Sequence, residues 1–367
     1  METRADILVI GAGIAGASVA DALASSARVI VLEQEERAGL HSTGRSAALF
    51  SETYGNAVIR ALSRASRAFL ASPPDGFCDT PLIRPRGTLY IAGEDQLGRL
   101  RALEDGAGAF ERLSGAEATA RVPILRPEAA AAALYEAGAM DIDVDALHQG
   151  FLRRLRRLGG QVVADAPVTA LTREAGGWTA ATPQGEFSAP IVINAAGAWA
   201  DPVAGIAGLA PLGLQPKRRT AALIDGPEFD FAGWPLVIDA EETAYFKPDA
   251  GRLLISPADE TDSEPCDAQP EDLDVAIAAD RIERMTTLSI RRIAHRWAGL
   301  RTFAPDRTPV CGYDPRAEGF FWLAGQGGYG IQTAPALAAL AARLVLREAG
   351  ELANLETALA PDRYARA

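Results

Sequence analysis

Cysteine and histidine are scarce, three of each in 367 residues. Cys78, Cys266 and Cys311 lie far apart and in no CxxC pair, which excludes a disulfide framework and a zinc ribbon. His41, His148 and His295 are equally isolated and read as packing or hydrogen-bonding residues, so no metal site is expected. No stretch reaches about 18 uninterrupted apolar residues, and the chain enters an apolar run at Asp6 without a basic leader or cleavage site. Neither a membrane span nor a secretory signal is expected, and the location implied is cytoplasmic. Positive charge is also short: 36 Lys and Arg face 48 Asp and Glu, a formal net charge of −12 that repels nucleic acid and anionic lipid alike. GxSxG, HExxH and P-loop motifs are missing, as are internal repeats.

What is present is a soluble globular composition, 48% hydrophobic and 23% charged, over a length that predicts two domains. The stretch VIGAGIAG, Val9 to Gly16, follows the apolar run Asp6 to Ile10 and precedes an Ala-rich run, Ala15 to Ser25. It predicts a buried parallel strand, a glycine turn and a helix. In that setting Gly11 permits the tight turn, Gly13 admits a pyrophosphate, and Gly16 lets helix pack on strand. A second strand, Arg28 to Leu32, ends in Glu33, 17 residues after Gly16, where a carboxylate accepts a ribose hydroxyl and repels a 2′-phosphate. NADP is thereby disfavoured, with NAD and FAD both open.

A nicotinamide enzyme would continue with alternating strands and helices. Here the loop Gln34 to Thr43 intervenes, and Ser42, Thr43, Gly44 and Ser46 lead into a predicted helix, offering N–H groups and hydroxyls to a second part of a long anionic cofactor. A helix Asn56 to Ala71 is broken by Pro73-Pro74, and a strand is predicted over Thr88 to Ala92. A helical segment spans Asp145 to Leu158, and Ile191 to Gly197 reads as a buried strand returning to the first domain. Leu212 to Arg292 is strand-rich, with a hairpin at Tyr245 to Ser256 turning about Pro248 to Gly251. Phe320 to Leu346 repeats strand, glycine loop and helix. Three separated stretches thus build one cradle. FAD fits it better than NAD, because reduced flavin carries negative charge that a helix N-terminus stabilises.

The segments VIGAGIAGAS, HSTGRSAA, GFC, DIDVDALHQG, NAAGAW, LGLQPKRR, YFKPDAG, WAGLRTF and FFWLAGQGGYGIQT occur in one order. In them the chain resembles, over nearly its whole length, the D-amino acid oxidase-like FAD oxidoreductases, and within that family the bacterial D-arginine dehydrogenases. The resemblance implies an α/β fold: a Rossmann-like FAD-binding domain of the glutathione reductase type, over residues 1–77, 141–204 and 297–367. An α+β substrate domain on a mostly antiparallel sheet, residues 78–140 and 205–296, is inserted into it. It implies cofactor contacts from Gly11, Gly13, Ile14, Ala15 and Gly16, then Glu33 and Gln34, then Ser42, Thr43, Gly44, Arg45, Ser46, Ala47 and Ala48. Further contacts are implied from Val168, Ala195, Gly197 and Trp199, and from Gly327, Gly328, Tyr329, Gly330, Ile331 and Gln332.

For the substrate, the resemblance implies Arg301 as carboxylate anchor, Arg218 as a second carboxylate contact, Tyr54 and Tyr245 as phenols closing over it, and the Gly328 carbonyl facing its amine. The side-chain pocket is expected from Leu49, Ser51, Thr88, Leu236 and Ile238. Arginine-preferring relatives resemble one another in an acidic residue where this chain has Thr88, and in a loop histidine where it has Leu49. The expectation is therefore oxidative deamination of D-amino acids to 2-oxo acids and ammonium, tilted to neutral or apolar side chains, unless Glu52, Glu241 or Glu242 restores a negative site. Cys311 is not placed to attach the cofactor, so FAD is expected to be noncovalent. A glycine or N-methylglycine oxidase, a 2-hydroxy acid dehydrogenase and a non-catalytic FAD-binding protein are the alternatives. The electron acceptor (a quinone, a dye-like acceptor or O2) stays open, and a monomer or weak oligomer is expected.

Overall fold

In the computed structural model, residues 3–107, 110–174 and 176–366 are described; the expected domain limits at 1 and 367 lie outside these. The first apolar run forms the strand Ile7–Ile10, parallel to Val29–Leu32 on one side and Ile191–Asn194 on the other. Gln161–Val163 and Phe320–Ala324 extend the sheet in parallel, and Val310–Tyr313 closes its edge antiparallel. Its central strands are buried at every residue, as a parallel sheet covered on both faces requires. One face is covered by the helices Ile14–Leu23 and Gly330–Leu346, whose alanines permit close approach. The other is covered by a three-stranded sheet, Ala170–Glu174, Gly177–Thr182 and Gly185–Ala189, through Leu171, Trp178 and Phe187. The helix Ala57–Ala71 starts where expected because the Asn56 side chain accepts from Ile59 N at 3.0 Å.

The second large sheet runs in the order Thr261–Asp262, Gln215–Ile224, Arg252–Ser256, Tyr245–Asp249, Leu236–Asp239, Thr88–Ala92, Ala132–Glu136 and Glu111–Ser114. Ile293–Phe303 also pairs with Gln215–Ile224. All its pairings are antiparallel except Leu236–Asp239 with Thr88–Ala92. The expected hairpin is present, turning at Ala250 and Gly251 with φ of 48° and 78°. Alternation sorts the two faces. Leu89, Ala222, Val237, Phe246 and Ile255 pack with Val275, Ala278 and Ile282 of the helix Asp272–Met285. Tyr90, Ala221, Leu236, Ile238 and Tyr245 face a cavity on the opposite side.

Two expectations fail locally. The helix Asp272–Met285 interrupts the stretch read as strands and turns. No helix follows Ser46; the chain instead extends into Leu49–Phe50, which pairs with Met140–Ile142, because that strand offers backbone partners. The expected boundary at 297 falls inside Ile293–Phe303, a continuous strand that carries Arg301 from the inserted sheet to the last glycine loop, where Phe303 bridges Gln326. Among the described residues no helix is long and apolar enough to cross a membrane.

Candidate active site

A single long cavity runs from the first glycine turn to the cavity-facing side of the second sheet. At its first end the wall is largely backbone. Gly11 has φ +98°, and a Cβ there would stand 2.6 Å from the Ala195 carbonyl; one on Gly16 would stand 1.8 Å from the Gly11 carbonyl. Gly13, Ile14 and Ala15 line the cavity, and Gly16 lies outside it, packing helix on strand. Glu33 and Gln34 line the wall, with Glu33 Oε2 accepting from Ala12 N at 2.7 Å and Oε1 from Glu35 N at 3.0 Å. Burial raises the Glu33 carboxyl above its ordinary range, and those two N–H groups oppose the shift.

The serine and threonine loop is tied down by its own hydroxyls. Thr43 Oγ1 accepts from Ile14 N at 2.9 Å, Ser42 Oγ donates to Leu300 O at 2.6 Å, and Ser46 Oγ donates to Ser42 O at 2.7 Å. The loop still lines the cavity through Ser42, Thr43, Arg45, Ser46, Ala47 and Ala48, whereas Gly44 turns away and packs on Gly39. The Arg45 guanidinium is spent on the carbonyls of Ala268 (2.7 Å) and Ala298 (3.0 Å) and on Asp267, which fastens the loop to the inserted sheet. Val168, Ala195, Gly197 and Trp199 complete this end. His41, read from the sequence as a packing or hydrogen-bonding residue and not as a cofactor contact, lines it too, its ring 4.7 Å from that of Trp199 and its Nε2 2.8 Å from Glu35. His148 is a packing residue as expected, with Nε2 2.8 Å from Ala12 O.

The far end is walled by side chains. Tyr54, Tyr245, Arg301 and Gly328 meet there with Leu49, Ser51, Thr88, Leu236 and Ile238. Gly327, Gly330, Ile331 and Gln332 line the junction of the two ends; Tyr329 lies outside, its ring 4.9 Å from that of Tyr54. Arg301 lies flat on the last glycine loop, so that a Cβ on Gly328 would stand 2.8 Å from its Nη1. Despite burial, neighbouring phenols and Glu260 favour its charged form, and among the described residues no carboxylate pairs with it.

Arg218 is a correction. Lys217 is paired with Arg301, so Lys217 and Arg219 share the cavity face and Arg218 is directed to the other. There Arg218 meets Asp274 at 2.8 Å and Glu271, both supplied by the unforeseen helix. Arg219 lines the cavity in its place, with Nε donating to Asp259 O at 2.7 Å and Nη2 to Glu260 at 3.3 Å. Burial alone would raise the Tyr245 phenol, but Arg219 and Arg301 outweigh it and hold its pKa below the ordinary range.

Of the three acids that could restore a negative side-chain site, one lines the cavity, and it stands beside Arg219 and Arg301. Glu52 pairs with Arg67 at 3.2 Å outside the cavity, and Glu241 does not line it; Glu242 does. Sequence reasoning also missed Glu136, a buried carboxylate accepting from Ser51 Oγ at 2.9 Å and Thr53 Oγ1 at 2.9 Å, which fixes the loop bearing Tyr54. Ser51 N donates to Gln332 Oε1 at 2.9 Å, joining that loop to the last helix. Nothing in the sequence pattern marks Glu136, since the contact spans unrelated segments. The Thr88 hydroxyl is buried at the cavity wall with no partner among the described residues. Cys311 is buried outside the cavity, its thiol pushed up by burial.

A family model described as FAD dependent oxidoreductase (DAO) matches residues 6–344. The glycine oxidase of Geobacillus kaustophilus (strain HTA426) is 24% identical over 95% of this chain and 94% of its own length. Its crystal structure superposes with a TM-score of 0.84 at 23% identity, covering 95% of this chain and 96% of that one. The L-proline dehydrogenase of P. horikoshii superposes at 0.86 with 20% identity, over 100% and 99% of the two chains. An L-2-hydroxyglutarate dehydrogenase of Salmonella houtenae is 29% identical over 56% of this chain and 50% of its own.

Proposed function

Since the chain belongs to the DAO family of FAD-dependent oxidoreductases, we propose that it oxidises small 2-amino acids, D-amino acids with neutral or apolar side chains foremost, to 2-oxo acids and ammonium. The cradle fits the cofactor: Gly11 and Gly13 bring bare backbone to the cavity wall, as close approach of a pyrophosphate requires, and Glu33 lines the same cavity at the end of the second strand, where a ribose hydroxyl would find a carboxylate. Bound FAD supplies a two-electron acceptor for a hydride leaving the substrate Cα. None of the three cysteines lines the cavity, so no thiol is at hand to attach it, which supports noncovalent binding.

The remaining work belongs to the chain. Arg301 presents a guanidinium fork to the carboxylate, with Arg219, Tyr54 and Tyr245 around it, and the Gly328 carbonyl faces the amine. This fixes Cα at the end of the cradle, so that catalysis is mainly positioning. Leu49, Leu236 and Ile238 give an apolar wall, and the neutral Thr88 adds no charge to it. The observation that carries the proposal is a half-buried guanidinium with no carboxylate partner among the described residues, facing the same cavity as the glycine cradle.

The likeness to glycine oxidase favours a second reading, oxidation of glycine or N-methylglycine, in which the apolar wall is left unfilled. Anaerobic mixing with D-Leu, D-Met, D-Phe, D-Arg, glycine, sarcosine and 2-hydroxyglutarate, followed by flavin bleaching, separates them. Fastest reduction by D-Leu, D-Met or D-Phe supports the proposal. Reduction by glycine and sarcosine alone selects the second reading, and reduction by the hydroxy acid alone ends both.

A further inference from the structure

Glu242 is the one carboxylate that lines the cavity near Arg301, and among the described residues it neither pairs with a cation nor accepts a side-chain hydrogen bond. It is held in a left-handed conformation, φ 55°, which a non-glycine residue adopts only when its surroundings enforce it. The enforcement is visible. Asp239 Oδ1 accepts from Thr243 N at 2.7 Å and Ala244 N at 2.8 Å, its Oδ2 accepts from Thr243 Oγ1 at 3.0 Å, and Glu242 N donates to Asp239 O at 2.8 Å. A buried carboxylate thus clamps the turn that presents another carboxylate to the cavity.

Around Glu242 stand Arg219 and Arg301 from the paired strands, Glu260 and Asp239, and the phenols of Tyr90 and Tyr329. The cavity therefore holds both charges of a zwitterion's complement: guanidinium for a carboxylate, carboxylate for an ammonium. We propose that Glu242 accepts the proton of the substrate ammonium and so selects 2-amino acids over 2-hydroxy acids. The proposal rests on the amino-acid reading above and gives it a residue.

The step balances. One N–H bond of the ammonium breaks, its proton passes to a Glu242 oxygen, and the electron pair stays on nitrogen as a neutral amine. That pair then forms the C=N bond as the Cα hydride leaves to the two-electron acceptor of the family's reaction, giving an iminium that water hydrolyses. Glu242 is exposed on the cavity side, yet partial desolvation by the surrounding wall raises its carboxyl, with Arg219 and Arg301 opposing, which makes it a better proton acceptor than an ordinary carboxylate. A 2-hydroxy acid brings only its carboxylate and leaves Glu242 as an uncompensated negative charge beside it.

The test is anaerobic flavin reduction by the flavin-loaded protein and by E242Q and E242D, across pH, with the best amino acid of the panel and the hydroxy acid of the same side chain. Flavin content and melting temperature of each variant verify folding. In E242Q the preference for the amino acid over the hydroxy acid falls by roughly 10-fold or more. The acid limb of the amino-acid profile moves alkaline by more than about one pH unit, towards the amine's own ionisation, and E242D restores part of both. An E242Q that keeps the ratio and the limb while amino acids reduce the wild type overturns the assignment of Glu242 alone. Reduction of the wild type by hydroxy acids only, or by no amino acid, overturns the amino-acid reading beneath it.

Discussion

At the dinucleotide end, the cavity wall is backbone held by glycine turns within a few residues of a strand; at the substrate end it is side chains delivered by strands far apart in sequence. Beside the first end, helix and strand pack so closely that a Cβ on Gly16 would stand 1.8 Å from a carbonyl oxygen, and in the wall itself one on Gly11 would stand 2.6 Å from another. The second is a surface of alternating residues in which a shift of one position exchanges the cavity face for the core face. On the proposed reading, affinity for the cofactor follows from local backbone geometry, and choice of substrate from sheet register.

The comparison breaks most visibly at its extremes. Gly16→Ala is expected to abolish flavin retention and to cost about 3 kcal/mol or more in stability, because backbone must move; absorbance of the purified protein and a melting curve report both. Arg301→Ala is expected to leave the yellow colour intact and lower kcat/KM by about 100-fold to 1,000-fold, as for a buried charge partner removed. Colour lost with Arg301, or activity kept without it, would dissolve the division between the two ends.

The same division explains what the sequence discloses. The turn VIGAGIAG, its strands and Glu33 are read from one continuous stretch, because local spacing alone puts them together. The choice between Arg218 and Arg219 needs the knowledge that Lys217 lies opposite Arg301, a pairing no local pattern contains. Glu136 is invisible for the same reason, acting on Ser51 and Thr53 across the molecule. The helix Asp272–Met285 was lost among turn signals, and with it the acids that hold Arg218. Leu49, Leu236 and Ile238, in contrast, are expected at the site through resemblance alone, and all three line the cavity.

Smaller effects sharpen the picture. Arg219→Ala is expected to lower kcat/KM about 10-fold or more. Arg218→Ala, on the other face, should leave kcat/KM within a few-fold and cost about 1–2 kcal/mol of stability from its pairs with Glu271 and Asp274; steady-state kinetics beside denaturant melts distinguish them. The reverse pattern would mean the strand register is shifted by one. Least of all, Asp21 on the cradle helix has its pKa raised to about 6, burial outweighing Arg154 and Arg157. A folded-state pKa above the unfolded one means that the proton favours the folded form. Its stabilisation is present below the unfolded value of 3.8 and is lost as pH rises through about 6. Melting temperatures of Asp21→Asn and the wild type, compared from acid to neutral pH, should show the wild type losing ground as pH rises, with flavin content unchanged.

The most direct measurement is a crystal structure of the flavin-loaded protein with a bound 2-amino acid or a non-reacting carboxylate. The expected result is FAD along the glycine turns with its ring at the Tyr54 end, and the ligand carboxylate in bidentate contact with Arg301 at about 2.7–2.9 Å. A carboxylate seated away from Arg301, or a cradle without flavin, would contradict the account.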